Sequence, residues 1–109
     1  MIVQKDAPNA LPTELHYRVR LEQQGDFIRV HLSGAAANVL VMDDANLRNF
    51  REGQQYNYWG GYYMVTPVII KPGTFNVDLN VIINLGGLPG TVTAVVEVIH
   101  PGIVRRRRR

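Results

Sequence analysis

The sequence predicts an all-β fold: one antiparallel β-sandwich, jelly-roll-like, of about seven strands, with one short helix near residues 43–52. Three observations predict it. Apolar and polar residues alternate with period two along several stretches, as they do where one face of a strand is buried and the other is wet. Clusters of glycine and proline punctuate those stretches at the spacing of a sandwich or barrel. Only one segment has helical spacing.

Residues 1–13 read as an arm, interrupted by Pro8 and Pro12. From Leu15 to Leu21 every odd-numbered position is apolar and every even-numbered one polar. Gln24-Gly25-Asp26 reads as a turn. Ile28, Val30 and Leu32 then alternate with Arg29 and His31 until Ser33-Gly34 breaks the pattern. The run Asn38 to Met42 is apolar at both parities, which places it centrally in a sheet. The helix follows: an Asp caps it, Leu47 and Phe50 lie three apart, and Gly53 ends it. Residues 54–65 are aromatic and read as extended, divided by Gly60-Gly61. Val68-Ile69-Ile70 is a short strand closed by Lys71-Pro72-Gly73. In residues 75–84, Phe75, Val77, Leu79, Val81 and Ile83 face one way and Asn76, Asp78, Asn80 and Asn84 the other. After a loop at Gly86-Gly87-Leu88-Pro89-Gly90, Thr91 to Ile99 forms a last, β-branched strand. The organisation is an arm over 1–13, a β-sandwich over 14–100, and a basic tail over 101–109. Tyr17, Val19, Val30, Val77 and Leu79 are the expected filling between the sheets.

Composition narrows the function classes. The chain has 109 residues, 46% hydrophobic and 19% charged, the profile of one globular domain. It has no cysteine, which removes disulfides and thiolate metal sites. The first residues hold no apolar core of leader length, and no apolar run is long enough to span a bilayer, so a cytoplasmic protein is expected. The net charge of +3 is a property of the tail. Without Arg105 to Arg109, seven Lys and Arg stand against nine Asp and Glu, a mildly acidic body of −2.

Beyond this patterning, the run Leu32-Ser33-Gly34, Ala36-Ala37-Asn38-Val39, Met42-Asp43, Asn46, Phe50 and Gly53-x-x-Tyr56-x-Tyr58-x-Gly60-Gly61 resembles a bacterial family known as domain of unknown function 1883. Gly73, Asp78 and Leu88-x-Gly90-x-Val92 fit the same pattern. The resemblance covers roughly residues 14–99. It implies a small β-sandwich, found alone or joined to other modules such as TIR-type signalling domains. It implies no activity, so it assigns no catalytic residues. The arm and the arginine tail lie outside the pattern.

Candidate chemistry is sparse. Ser33 is the only serine, and His16, His31 and His100 are scattered. A cross-strand pairing of His16 with His31 is conceivable, but nothing assembles nucleophile, base and orienting acid. Asp43, Asp44 and Asn46 are clustered oxygen donors. The glycine and glutamate that an EF-hand loop requires are replaced by Asn49 and Gln55, so helix capping is the better account. No metal site, cofactor or enzymatic activity is expected.

The aromatic cluster is more informative. Tyr56, Tyr58, Trp59, Tyr62 and Tyr63 are five of nine aromatic residues. They serve either as core filling with cross-strand pairs or as a recognition surface, because Tyr and Trp offer large contact area at little entropy cost. The expected function is a non-catalytic module that recognises a protein or small ligand through this region. The alternative is nucleic-acid association through Arg105, Arg106, Arg107, Arg108 and Arg109, whose guanidinium groups grip phosphate. Self-association is a third expectation: if residues 75–84 or 91–99 formed a sheet edge, they would invite pairing with another copy.

Overall fold

The computed structural model describes the backbone of residues 2–4, and residues 14–101 with their side chains. The described elements are β1 (Ile2–Gln4), β2 (Glu14–Leu21), β3 (Phe27–Gly34), β4 (Ala37–Met42), α1 (Asp44–Arg51), β5 (Trp59–Tyr63), β6 (Val68–Ile70), β7 (Val77–Asn84) and β8 (Val92–Ile99). They form two four-stranded sheets, in the orders β1-β8-β3-β6 and β2-β7-β4-β5, with every neighbour antiparallel. The chain changes sheet at every connection except β4 to β5. This is the jelly-roll order, so the predicted fold class holds.

The core lies between the sheets. The odd positions of β2, Leu15, Tyr17, Val19 and Leu21, are buried against Ile28, Val30, Val96 and Val98 of the facing sheet. Period-two alternation produces this directly, because only one face of each strand is turned inward. Tyr17 is the largest inward side chain, and its hydroxyl reaches the Ala94 carbonyl at 3.3 Å. The hydroxyl is thus satisfied inside an otherwise apolar layer.

A second, smaller cluster sits on the outer face of the β2-β7-β4-β5 sheet. There Leu40, Met42 and Ile82 are buried beneath Leu47 and Phe50 of α1 and Tyr56 of the following loop. This explains why β4 is apolar at both parities: one face fills the sandwich and the other receives the helix. Asp43 caps α1 by accepting from the Asn46 backbone N–H at 2.8 Å. Gly53 follows the helix at φ +73°, as the sequence predicts.

The structure corrects several expectations. Residues 2–4, within the predicted arm, form a strand that pairs with β8. Ser33 and Gly34 do not break β3 but complete it, opposite Thr93 and Val92. β7 starts at Val77, not Phe75, because Asn76 adopts φ +60° and turns the chain; Phe75 is left exposed. The outer face of β7 is not wet throughout, since α1 covers Ile82 and Asn80 is fully buried. β2 and β3 belong to different sheets, so His16 and His31 sit on opposite outer faces and form no pair. Both β7 and β8 are interior strands, so neither offers the free edge on which the self-association argument depends.

Candidate functional site

The aromatic segment begins in a loop and ends in an edge strand. Residues 54–58 are not extended strand; they fold back over α1. The Asn57 backbone N–H donates to Asn46 Oδ1 at 2.8 Å, which ties this loop to the start of the helix. Tyr56 packs edge-on to Phe50, with ring centroids 5.0 Å apart, and its own ring lies 5.6 Å from that of Tyr58. β5 then pairs with β4, from Val41 opposite Trp59 to Ala37 opposite Tyr63.

Gly60 makes this pairing possible. Its φ is +119°, and a Cβ there would strike the Val39 carbonyl oxygen. Only a residue without a side chain brings the two backbones this close.

The five predicted residues divide by role. Tyr56 and Tyr63 are half-buried, packed against the outer cluster and the main core respectively. Tyr58, Trp59 and Tyr62 stand 48%, 38% and 55% exposed. Both readings of the cluster therefore apply, to different members. Met64 and Val65, also exposed, continue the apolar edge.

A pocket of about 210 Å³ opens where β4 ends and β5 begins, lined by Asp43, Asn46, Asn57, Tyr58 and Trp59. Asp43 Oδ1 accepts from both the backbone N–H and the side-chain amide of Asn46, at 2.8 and 2.9 Å. The sequence marks Asp43 and Asn46 as clustered oxygen donors, with helix capping by an Asp as the better account, and does not single out Asn57. Asp43 could be found from its place at a helix start beside an aromatic run, whereas Asn57 carries no signal of its own.

Behind the pocket, a polar network fixes the start of α1 to the sheet. The Arg18 guanidinium donates to Asp44 Oδ1 and Oδ2 at 2.6 and 2.9 Å, and Asn80 Nδ2 donates to Asp44 Oδ1 at 2.8 Å. The Arg18 bonds first, then the Asn80 bond, hold the Asp44 carboxyl well below the usual carboxylate range. Asn80 also donates to the Met42 carbonyl at 3.3 Å, and its Oδ1 lies 2.9 Å from His16 Nε2. These bonds satisfy a fully buried amide and explain a polar residue at that depth.

Among the described residues, no nucleophile–base pair assembles around Ser33. His31 shares its face of β3, but His31 Nε2 lies 3.2 Å from Glu97 Oε1, and no hydrogen bond joins Ser33 to either group. Glu97 also accepts from Arg29 at 2.7 Å, which holds its carboxyl below the ordinary value. The alternative site, Arg105 to Arg109, lies outside the described residues. Among the described residues, Arg18, Arg20, Arg29 and Arg51 are each paired with a carboxylate. No helix among the described residues is long and apolar enough to cross a membrane.

Fold and site together define a small jelly-roll β-sandwich domain with an aromatic-rimmed pocket at one sheet edge. More particularly, the chain belongs to the family described as domain of unknown function (DUF1883), whose family model matches residues 14–101. No curated protein and no solved structure matches the chain.

Proposed function

We propose that this domain is a non-catalytic binding module that recognises a protein or a small ligand through the edge around Trp59. One observation carries the reading: Tyr58 and Trp59 are exposed and line a pocket, and Tyr62 is exposed further along the same edge strand, while their neighbours Tyr56 and Tyr63 anchor the segment to the packed interior. Aromatic side chains held by a rigid scaffold make strong contacts because little rotamer freedom remains to be lost on binding. His31, on the same face of β3 as Ser33, is engaged by Glu97 rather than by the serine, and His16 lies on the other sheet, which supports a reading without covalent catalysis.

The test replaces Trp59 and Tyr62 together by alanine. Both side chains are exposed, so the fold is retained, and circular dichroism checks it. Partner capture from lysate is expected to drop at least about tenfold, the scale of an interface hot spot. Undiminished capture by a folded double variant overturns the reading. The competing reading, nucleic-acid association, rests mainly on the tail, because four of the five arginines among the described residues are paired with carboxylates, which leaves only Arg48 and Lys71 without an ion pair there.

A further inference from the structure

We infer that the pocket between Asp43 and Trp59 takes a cationic group, a guanidinium or alkylammonium, with the carboxylate as counter-ion and the two aromatic rings as its walls. The inference rests on the proposed binding site and names the chemistry of its ligand.

Charge comes first. Asp43 Oδ1 is occupied by the two Asn46 donors, but Oδ2 has no hydrogen-bond or ion-pair partner among the described residues. The neighbouring Asp44 is different, because Arg18 already neutralises it. No Lys, Arg or His lines the pocket, so a carboxylate faces it without a cation. Helix N-termini ordinarily attract anions through unsatisfied N–H groups. Here Asp43 itself fills that role for the Asn46 N–H and presents negative charge in its place, so an anionic ligand is disfavoured.

The walls come next. Tyr58 and Trp59 both line the pocket and both remain exposed. The faces of such rings carry negative electrostatic potential and attract cations, Trp most strongly. A planar guanidinium both stacks on a ring and hydrogen-bonds a carboxylate in plane. The Asn57 side chain, with no intramolecular hydrogen bond among the described residues, offers a further acceptor at the rim.

Size narrows the choice. At about 210 Å³ the pocket is smaller than the roughly 300–1,000 Å³ of sites for whole drug-sized ligands. It suits a single side-chain head group. Two sources can supply one: an arginine or lysine of a partner, or an arginine of this chain's own 105–109 segment.

Trp59 is the only tryptophan, so its fluorescence reports on this pocket alone. The full chain is titrated with N-acetyl-arginine amide and, separately, with N-acetyl-citrulline amide, its uncharged near-isostere. A saturable change with the arginine derivative and none with the citrulline derivative is expected. Asp43→Asn keeps a competent helix cap but removes the charge, and should weaken binding at least about tenfold. Glu52→Gln, which removes an exposed charge outside the lining, should leave binding unchanged.

Equal response to both probes, wild-type affinity in Asp43→Asn, or no saturable response even with Arg105 to Arg109 replaced by glutamine overturns the inference. If citrulline amide or a neutral pyranose saturates the Trp59 signal, the cation chemistry falls while the binding site stands. The source is read in the full-length variant with Arg105 to Arg109 all replaced by glutamine. Tighter probe binding and altered resting emission mark the chain's own tail as occupant, whereas unchanged values mark an external cation.

Discussion

Asp26 is only 3% exposed, in the turn between β2 and β3, and its Oδ2 accepts the backbone N–H groups of Glu22 and Gln23 at 2.9 Å each. Oδ1 lies 2.9 Å from His100 Nδ1, outside hydrogen-bond geometry. Burial alone would raise its pKa. The Gln23 N–H, His100 and the Glu22 N–H outweigh burial and hold the carboxyl below its ordinary value. A carboxylate with a depressed folded-state pKa stabilises fully above its unfolded pKa, near 3.8, and loses that stabilisation as pH falls through the folded value. Asp44 and Glu97 shift the same way. Urea midpoints should therefore be flat at neutral pH and decline below about pH 4, and Asp26→Asn should blunt the decline. Asp26→Ala strands two N–H donors and should cost about 1–3 kcal/mol at neutral pH. The sequence shows Asp26 as a turn residue but not its burial, because His100 arrives from the other end of the chain.

At the scale of elements, β5 is the strand most dependent on one residue. Gly60→Ala must place a Cβ where the Val39 carbonyl oxygen stands, at φ +119°. The backbone conformation alone costs an alanine about 1–3 kcal/mol, and the clash adds to it. Because β5 pairs only with β4 in its sheet, the loss should appear as local release of the edge before global unfolding. Hydrogen exchange is expected to accelerate at Gly61–Tyr63 while β2 and β7 stay protected; uniform acceleration would show that β5 is integral to the cooperative unit. Helix α1 behaves differently, since Ile82, Leu40 and Met42 lie under it. Ile82→Ala should cost about 2–5 kcal/mol by urea denaturation, as for any large-to-small change in a closed cluster. The existence and ends of α1 were legible from its cap, its Leu47–Phe50 spacing and Gly53. Its docking place was legible only indirectly, in the apolar outer positions of β4 and in Ile82, since periodicity reports which face is buried and not what buries it.

The whole molecule was legible in its layers but not in its pairings. Alternation fixed which residues point inward, so Tyr17, Val19, Val30 and Leu79 fell where predicted. Adjacency in sequence suggested that β2 and β3 were partners, yet the jelly-roll path sends them to opposite sheets, and a short turn is compatible with either outcome. The aromatic site was legible as a cluster, while the carboxylate and amides of its pocket come from β4's end and α1 and needed the fold to meet it. Charge is segregated on the same scale. Within the described residues, Arg18 and Arg20 are tied to Asp44 and Asp78, Arg29 to Glu97 and Arg51 to Glu14. A polyanion approaching this surface must break ion pairs to gain phosphate contacts, and meets a body whose net charge is −2 once the five tail arginines are set aside. Retention on a heparin column should therefore come from the tail. Replacing Arg105 to Arg109 by glutamine takes the net charge from +3 to −2 and should move the protein to the flow-through at low salt. For duplex DNA, five tail charges set a ceiling of about −4.5 on the slope of log K against log salt, and the glutamine variant should fall to near zero. A slope steeper than that ceiling, or one that survives the substitution, would require a basic surface that the paired arginines of the sandwich do not provide.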